Sequence, residues 1–249
     1  MNSRVMIITG GSRGIGAATA VKAAARGYAV CVNYLQDAAA AQAVVGKIRA
    51  AGGIAIAVAA DVSLEEDVVR LFRSVDEQLG KVSALVNNVG VLEKKMRIVE
   101  MDMARLNRIF SSNITSQFLC AREAVLRMSH NHGGAGGAIV NVSSAASRLG
   151  SAGEYVDYAA SKGAVDTFTT GLSLEVANEG IRVNCVRPGF IHTDIHASGG
   201  EANRVERLRS MIPMQRGGRA DEVANAILWL LSDEASYVTG SFIDIAGGK

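Results

Sequence analysis

The chain is poor in aromatic residues: Phe, Tyr and Trp make up 5% of its 249 residues. Its core must therefore be assembled mainly from Ala, Val, Ile and Leu. Proline is scarcer still, with 2 residues, so no proline-rich linker divides the chain. The three cysteines, Cys31, Cys120 and Cys185, are scattered through apolar runs and form no Cys-x-x-Cys pair. That argues against a disulfide framework and a metal site, and for buried reduced thiols in the cytoplasm. An excess of charge of one sign is also missing. With 26 basic and 24 acidic residues the net charge is +2, which gives no reason to expect nucleic acid or an anionic membrane as partner. No apolar run approaches the length of a membrane span. The N-terminus enters the apolar Val5-Met6-Ile7-Ile8 without the basic region or cleavage site of a leader. The expectation is one soluble domain over residues 1–249.

What the chain does have is alternation. Short runs rich in Val and Ile at 4–9, 28–34, 54–59, 83–87, 137–143, 181–187 and 241–245 read as strands buried on both faces. Helical patterns lie between them, near 14–26, 38–51, 64–79, 103–130, 157–178 and 220–232. Such a rhythm predicts an α/β fold with a parallel sheet of about seven strands and helices on both faces. Ser63 before Leu64-Glu65-Glu66 reads as a helix N-cap. Residues 189–219 carry no strand signal, and so long an excursion predicts a substrate lid. The basic cluster Arg204, Arg207 and Arg209 within it reads as a solvated helical face, with contact to an anionic substrate as the alternative.

Two motifs carry chemistry. The first, Thr9-Gly10-Gly11-Ser12-Arg13-Gly14-Ile15-Gly16, falls between a strand and a helix. Glycines there let the backbone approach a pyrophosphate, and the helix N-terminus attracts its charge. No Gly-Lys-Ser/Thr follows, so it is not a Walker A loop. The second strand ends in Val32-Asn33-Tyr34 rather than in the acidic residue that receives a ribose 2′-hydroxyl. Arg13 is suited to a 2′-phosphate. Both features predict NADP(H) as preferred cofactor, with NAD(H) possible because Leu35 and Gln36 supply no second cation. The other motif is Tyr158-Ala159-Ala160-Ser161-Lys162. A Tyr and a Lys four residues apart on a helix share one face, and the ammonium is expected to lower the phenol pKa. Tyr155 has only Ala159 at that offset, and reads as a pocket residue.

Together with Asn87-Asn88-Val89-Gly90, Asn113, Ser143-Ser144 and Pro188-Gly189, these motifs give the chain a resemblance over essentially its whole length. It resembles the classical short-chain dehydrogenases/reductases, in a bacterial branch like glucose 1-dehydrogenases or 3-oxoacyl reductases. The resemblance implies a single-domain, Rossmann-type, doubly wound sheet and an oxidoreductase acting on a carbonyl or secondary alcohol. It implies Tyr158 as general acid/base, with Lys162 lowering its pKa and holding the nicotinamide ribose. Ser144 would orient the substrate oxygen, and Asn113 would hold a water in a proton relay. Around the cofactor it implies Gly10, Ser12, Arg13, Gly14, Ile15 and Gly16 at the phosphates and Asn33 and Tyr34 beyond them. Asp61 and Val62 would flank the adenine, and Asn88 and Gly90 the ribose. Pro188, Gly189, Ile191 and Thr193 would lie along the nicotinamide. No metal is implied, and relatives are mostly homotetramers.

Three departures stand out. Val89 replaces the family's usual Ala. Tyr158 lies fourteen residues after Ser144 where thirteen is common, which leaves Ser143 as the alternative serine. Glu179 falls where carrier-protein reductases tend to have Arg, and a carboxylate there would repel an acidic carrier. The substrate stays open among sugars, small ketones and 3-oxoacyl compounds. A cofactor-binding sensor without catalysis is the alternative reading.

Overall fold

A computed structural model describes residues 4–249. Its seven-stranded parallel sheet has the order β3-β2-β1-β4-β5-β6-β9. The strands are β1 (Val5–Ile8), β2 (Ala29–Tyr34), β3 (Ala55–Ala59), β4 (Val82–Asn87), β5 (Gly137–Val142), β6 (Ile181–Pro188) and β9 (Phe242–Ile245). Every residue of β1 is buried, because side chains that alternate along a strand meet helices on both faces here. Met6 and Ile8 pack with α1 (Gly14–Ala25), α2 (Ala38–Ala50) and α10 (Ala220–Leu231). Val5 and Ile7 pack on the other side with α3 (Glu65–Gln78), α5 (Ser116–Met128) and the end of α7 (Val156–Val176). Cys31, Cys120 and Cys185 are free and buried, and burial pushes all three thiols up, that of Cys185 to about 12.

The chain steps outward from β1 to β3, then returns to pair β4 with β1. That reversal opens a crevice beyond the carboxyl ends of β1 and β4, the usual ligand position in such sheets. The strand expectations hold, while several local ones need correction. Ser63 does not cap α3: its hydroxyl donates to Asp61 Oδ1 at 2.6 Å, a short-range bond that competes with capping. The helix expected over 103–130 is broken. After α4 (Met103–Phe110) comes a π-helical turn, Ser111–Thr115, before α5 begins. The 189–219 excursion does contain strands. Two-residue β7 (Ile191–His192) and β8 (Gly218–Arg219) pair in parallel at its base, too short to leave a hydrophobic pattern. Between them lie one-turn helices α8 (Ile195–Ser198) and α9 (Arg204–Arg207). Among the described residues no helix is long and apolar enough to cross a membrane, and no cluster of acidic, His and Cys side chains could hold a metal.

Candidate active site

A cleft of about 660 Å³ opens at the sheet reversal. One end is the glycine loop at the start of α1. Gly10 and Gly14 have φ of +59° and +53°, a region side-chain-bearing residues rarely adopt. A Cβ on Gly16 would collide with the Gly10 carbonyl oxygen and lie 2.7 Å from Asn88 Nδ2. The first turn of α1 has no acidic residue, and Arg13 makes no side-chain cap, so its N–H groups are left for an anion. Gly10, Ser12, Arg13, Gly14, Ile15 and Tyr34 line the cleft, with Leu35, Gln36 and Asp37 beyond them. Arg13 is exposed at the rim.

The polar residues around the loop act as its foundation. Thr9 Oγ1 accepts the N–H groups of Asn88 and Val89 at 2.9 and 3.2 Å. Asn88 Nδ2 donates to the carbonyls of Thr9 and Gly10. Asn33, expected at the ribose, points inward instead. Its Oδ1 accepts from Gly10 N–H at 3.2 Å, and its Nδ2 reaches the Val58 and Ala60 carbonyls at 3.3 and 3.1 Å. The alternation of β2 explains this: Asn33 turns under the loop while Tyr34 faces the cleft. Asn33, Gly16, Asp61 and Val62 are not among the described residues that line the cleft. Asp61 accepts both Ser63 N–H and Ser63 Oγ–H, and Val62 is buried.

The other end of the cleft holds Ser144, Tyr158 and Lys162. Ser144 Oγ accepts Ala146 N–H at 3.1 Å and hydrogen-bonds to Tyr158, a contact that opposes the rise burial imposes on the phenol pKa. Ser143 is spent elsewhere, donating to the Lys162 carbonyl at 3.1 Å beneath the surface. Lys162 is buried, and its Nζ donates to the Val142 carbonyl at 2.8 Å. Burial lowers the Lys162 pKa to about 8. The expected lowering of Tyr158 by Lys162 is not found. Desolvation by burial raises the Tyr158 pKa, with Ser144 the opposing influence, and Lys162 Nζ stands 5.8 Å from the ring centre.

Asn113 lies in the π turn, fully buried. Its Oδ1 accepts from Val91 N–H at 2.7 Å, and its Nδ2 donates to the Val91 carbonyl and to Ser161 Oγ. The carboxamide is thus a strut between α7 and the segment after β4. Gly90 sits beside it, where a Cβ would stand 3.0 Å from Lys162 Nζ. Pro188, Gly189, Ile191 and Thr193 also line the cleft, Thr193 beside Gly14.

Leu92, Phe190, Ile195 and Arg204 also line the walls. Arg204 is buried rather than solvated. Its guanidinium lies 4.8 Å from the centre of the Tyr155 ring and 2.5 Å from Glu154 Oε2. Glu201 and Glu154 tie Arg204, Arg207 and Lys95 together across the mouth. Arg207 holds the Glu201 carboxyl down at about 2. Leu208, four residues after Arg204, was the available sign that this side of α9 faces inward. Glu179 faces its own chain, accepting a hydrogen bond from Ser129.

Comparison with known proteins places the chain in a family of this fold. Residues 10–249 match the family model described as enoyl-(acyl carrier protein) reductase. The chain is 62% identical over 98% of its length, and 99% of the relative's, to the Escherichia coli protein named uncharacterized oxidoreductase YgfF. It is 36% identical to a Synechocystis 3-oxoacyl-(acyl-carrier-protein) reductase, over 100% of this chain and 97% of that one. A dehydrogenase/reductase from Sinorhizobium meliloti superposes with a TM-score of 0.91 at 32% identity, covering 100% of this chain and 95% of its own. With its glycine loop, its seven-stranded sheet and these relatives, the chain belongs to the classical short-chain dehydrogenases/reductases, the NAD(P)-dependent oxidoreductases.

Proposed function

We propose that this enzyme interconverts a carbonyl and a secondary alcohol, with NADP(H) preferred and Tyr158 as general acid/base. The observation that carries the reading is convergence: Ser144, Tyr158 and Lys162 meet in one cleft whose other end is an uncapped helix N-terminus. The cradle fits a dinucleotide, since a side chain at Gly14 or Gly90 would crowd Thr193 or Lys162. A bound nicotinamide supplies or accepts the hydride at the substrate carbon. The residues to hold it are the glycine loop, Tyr34, Gly90, Lys162, Pro188, Gly189, Ile191 and Thr193, with Arg13 toward a 2′-phosphate.

In the reducing direction Tyr158 Oη–H gives its proton to the substrate oxygen, and in oxidation the phenolate takes it back. Ser144 accepts from Ala146 N–H, so its hydroxyl proton is free to point at Tyr158 or the substrate oxygen. Lys162 below pH 8 places a cation beneath this pair. Asn113 fixes Val91 and Ser161 on either side of the reacting groups. The lid 189–219 closes the substrate end, where a small ketone, a sugar or a 3-oxoacyl group would lie. We further propose a cytoplasmic homotetramer, supported by reduced buried thiols and by the exposed Phe118, Leu126 and Leu174 on α5 and α7. Light scattering should then return four times the 26.0 kDa chain mass.

The test is turnover of NADPH and NADH against a panel of ketones, sugars and 3-oxoacyl thioesters. Tyr158→Phe should lose on the order of 100-fold or more in kcat while still binding NADPH. Turnover that survives Tyr158→Phe would overturn the assignment. NADPH binding without turnover on any panel member would favour a sensor.

A further inference from the structure

A second polar strut runs beside the one made by Asn113. Asp157, the residue before Tyr158 in the first turn of α7, pairs with Arg105 of α4, with Nε to Oδ2 at 2.7 Å. Their side chains are 0% and 4% exposed, so the pair is withdrawn from water. A pair this deep seldom adds net stability over an apolar pair of the same volume, so stability alone does not account for it. Arg105 also donates through Nη1 to the Lys94 carbonyl at 2.8 Å, and the Glu93 carboxylate stands 3.8 Å away. One guanidinium therefore joins three segments: α4, the first turn of α7, and the stretch after β4 that continues from the cleft wall at Val91 and Leu92.

The parallel with Asn113 is close. Asn113 is eight residues after Arg105, and Ser161 is four after Asp157. Asn113 binds Ser161 and the Val91 backbone as Arg105 binds Asp157 and the Lys94 backbone. Two successive turns of α7 are pinned to α4 and the π turn that follows it, and to one wall of the cleft. Tyr158 lies within the pinned stretch. Arg105 Nη2 and Asp157 Oδ1 are buried without a partner, so the pair accepts a cost that a purely structural contact would not need.

We propose that Arg105 and Asp157 are positioning residues for Tyr158, setting the angle of the first turn of α7 against Ser144 and the wall at 91–94. This rests on the reading of Tyr158 as the acid/base. Neither residue touches substrate. Their effect is on how often the phenol oxygen and Ser144 face the reacting oxygen together, and misplacement of about 1 Å can slow a reaction on the order of 100-fold.

The test uses the full-length enzyme with NADPH and whichever panel compound it turns over fastest. The apolar pair Arg105→Met/Asp157→Leu removes both charges together and should fold. Its Tm is expected at or above wild type, its NADPH Kd within about twofold, and its kcat down on the order of tenfold. The single variants should move the pH profile of kcat/KM in opposite directions. Asp157→Asn leaves Arg105 uncompensated and favours the phenolate, shifting the Tyr158 limb to lower pH; Arg105→Met leaves Asp157 and shifts it upward. Glu93, Asp102, Ser144 and Lys162 remain in both variants, so their influence cancels in the comparison. A stable double variant with wild-type kcat would overturn the positioning role, as would single variants with identical pH profiles. Activity persisting in Tyr158→Phe would instead strike at the underlying assignment, which separates the two failures.

Discussion

The two ends of the cleft are built by different means. At the dinucleotide end polar side chains bond to backbone: buried Thr9 and Asn33 and half-buried Asn88 hold the glycine loop by its own peptide groups. At the substrate end, charged side chains from three separate loops, Lys95, Glu154 and Glu201 with Arg204 and Arg207, meet near the surface. Backbone cradles tolerate almost no change, since their bonds are withdrawn in part from water and a Cβ on Gly10, Gly14 or Gly16 would meet its neighbours. Ion pairs at a mouth are worth little individually and can be exchanged. A constant cofactor and a variable substrate call for this division.

The contrast is broken most severely at Gly16. Gly16→Ala drives a methyl group into the Gly10 carbonyl, and should abolish measurable NADPH binding and lower Tm by several degrees. Gly46 in α2 has nothing within 4 Å of a Cβ, so Gly46→Ala is the control and should stabilise by about 0.5–1 kcal/mol. Next in size, Arg13→Ala should weaken NADPH by on the order of tenfold and leave NADH nearly unchanged, measured by fluorescence titration. Equal losses for both cofactors would remove Arg13 as the phosphate contact.

Acidity sharpens the comparison further. Lys162 is the cation shared by both ends, and burial holds it at about 8 in the free enzyme. It is charged below that pH and neutral above it. NADPH affinity should hold steady up to about pH 8 and then fall, by at most tenfold per pH unit, as binding must restore the proton. Lys162→Met should flatten that dependence. The smallest effect belongs to the mouth. Glu154→Gln should cost at most about 1 kcal/mol of stability by denaturant titration, while KM changes more than kcat.

Much of this was legible from the chain. β1, β4 and β5 are buried on both faces and therefore read as plain apolar runs, and the glycine loop and the Tyr158–Lys162 pair are local in sequence. What escaped depends on distance or on shortness. Arg204 reads as solvated until Tyr155 and Glu154, some fifty residues earlier, are brought beside it. The π turn arises because Asn113 finds Val91 and Ser161 from other elements. β7 and β8 have two residues each, too few for any periodicity. The interval from Ser144 to Tyr158 left two serines open. Both line the cleft, and Ser143 alone donates to the Lys162 carbonyl.

The inward turn of Asn33 bears on how the coenzyme requirement could be redesigned. The customary change toward NAD would put Asp at the end of the second strand. At position 33 a carboxylate would lie under the glycine loop, facing the carbonyl oxygens of Val58 and Ala60 that the amide nitrogen now satisfies. Such a variant would trade donated bonds for repulsions and undermine the phosphate loop it was meant to retune. Redesign belongs instead at Tyr34, Leu35 and Gln36, whose side chains reach the cleft without carrying the loop above them.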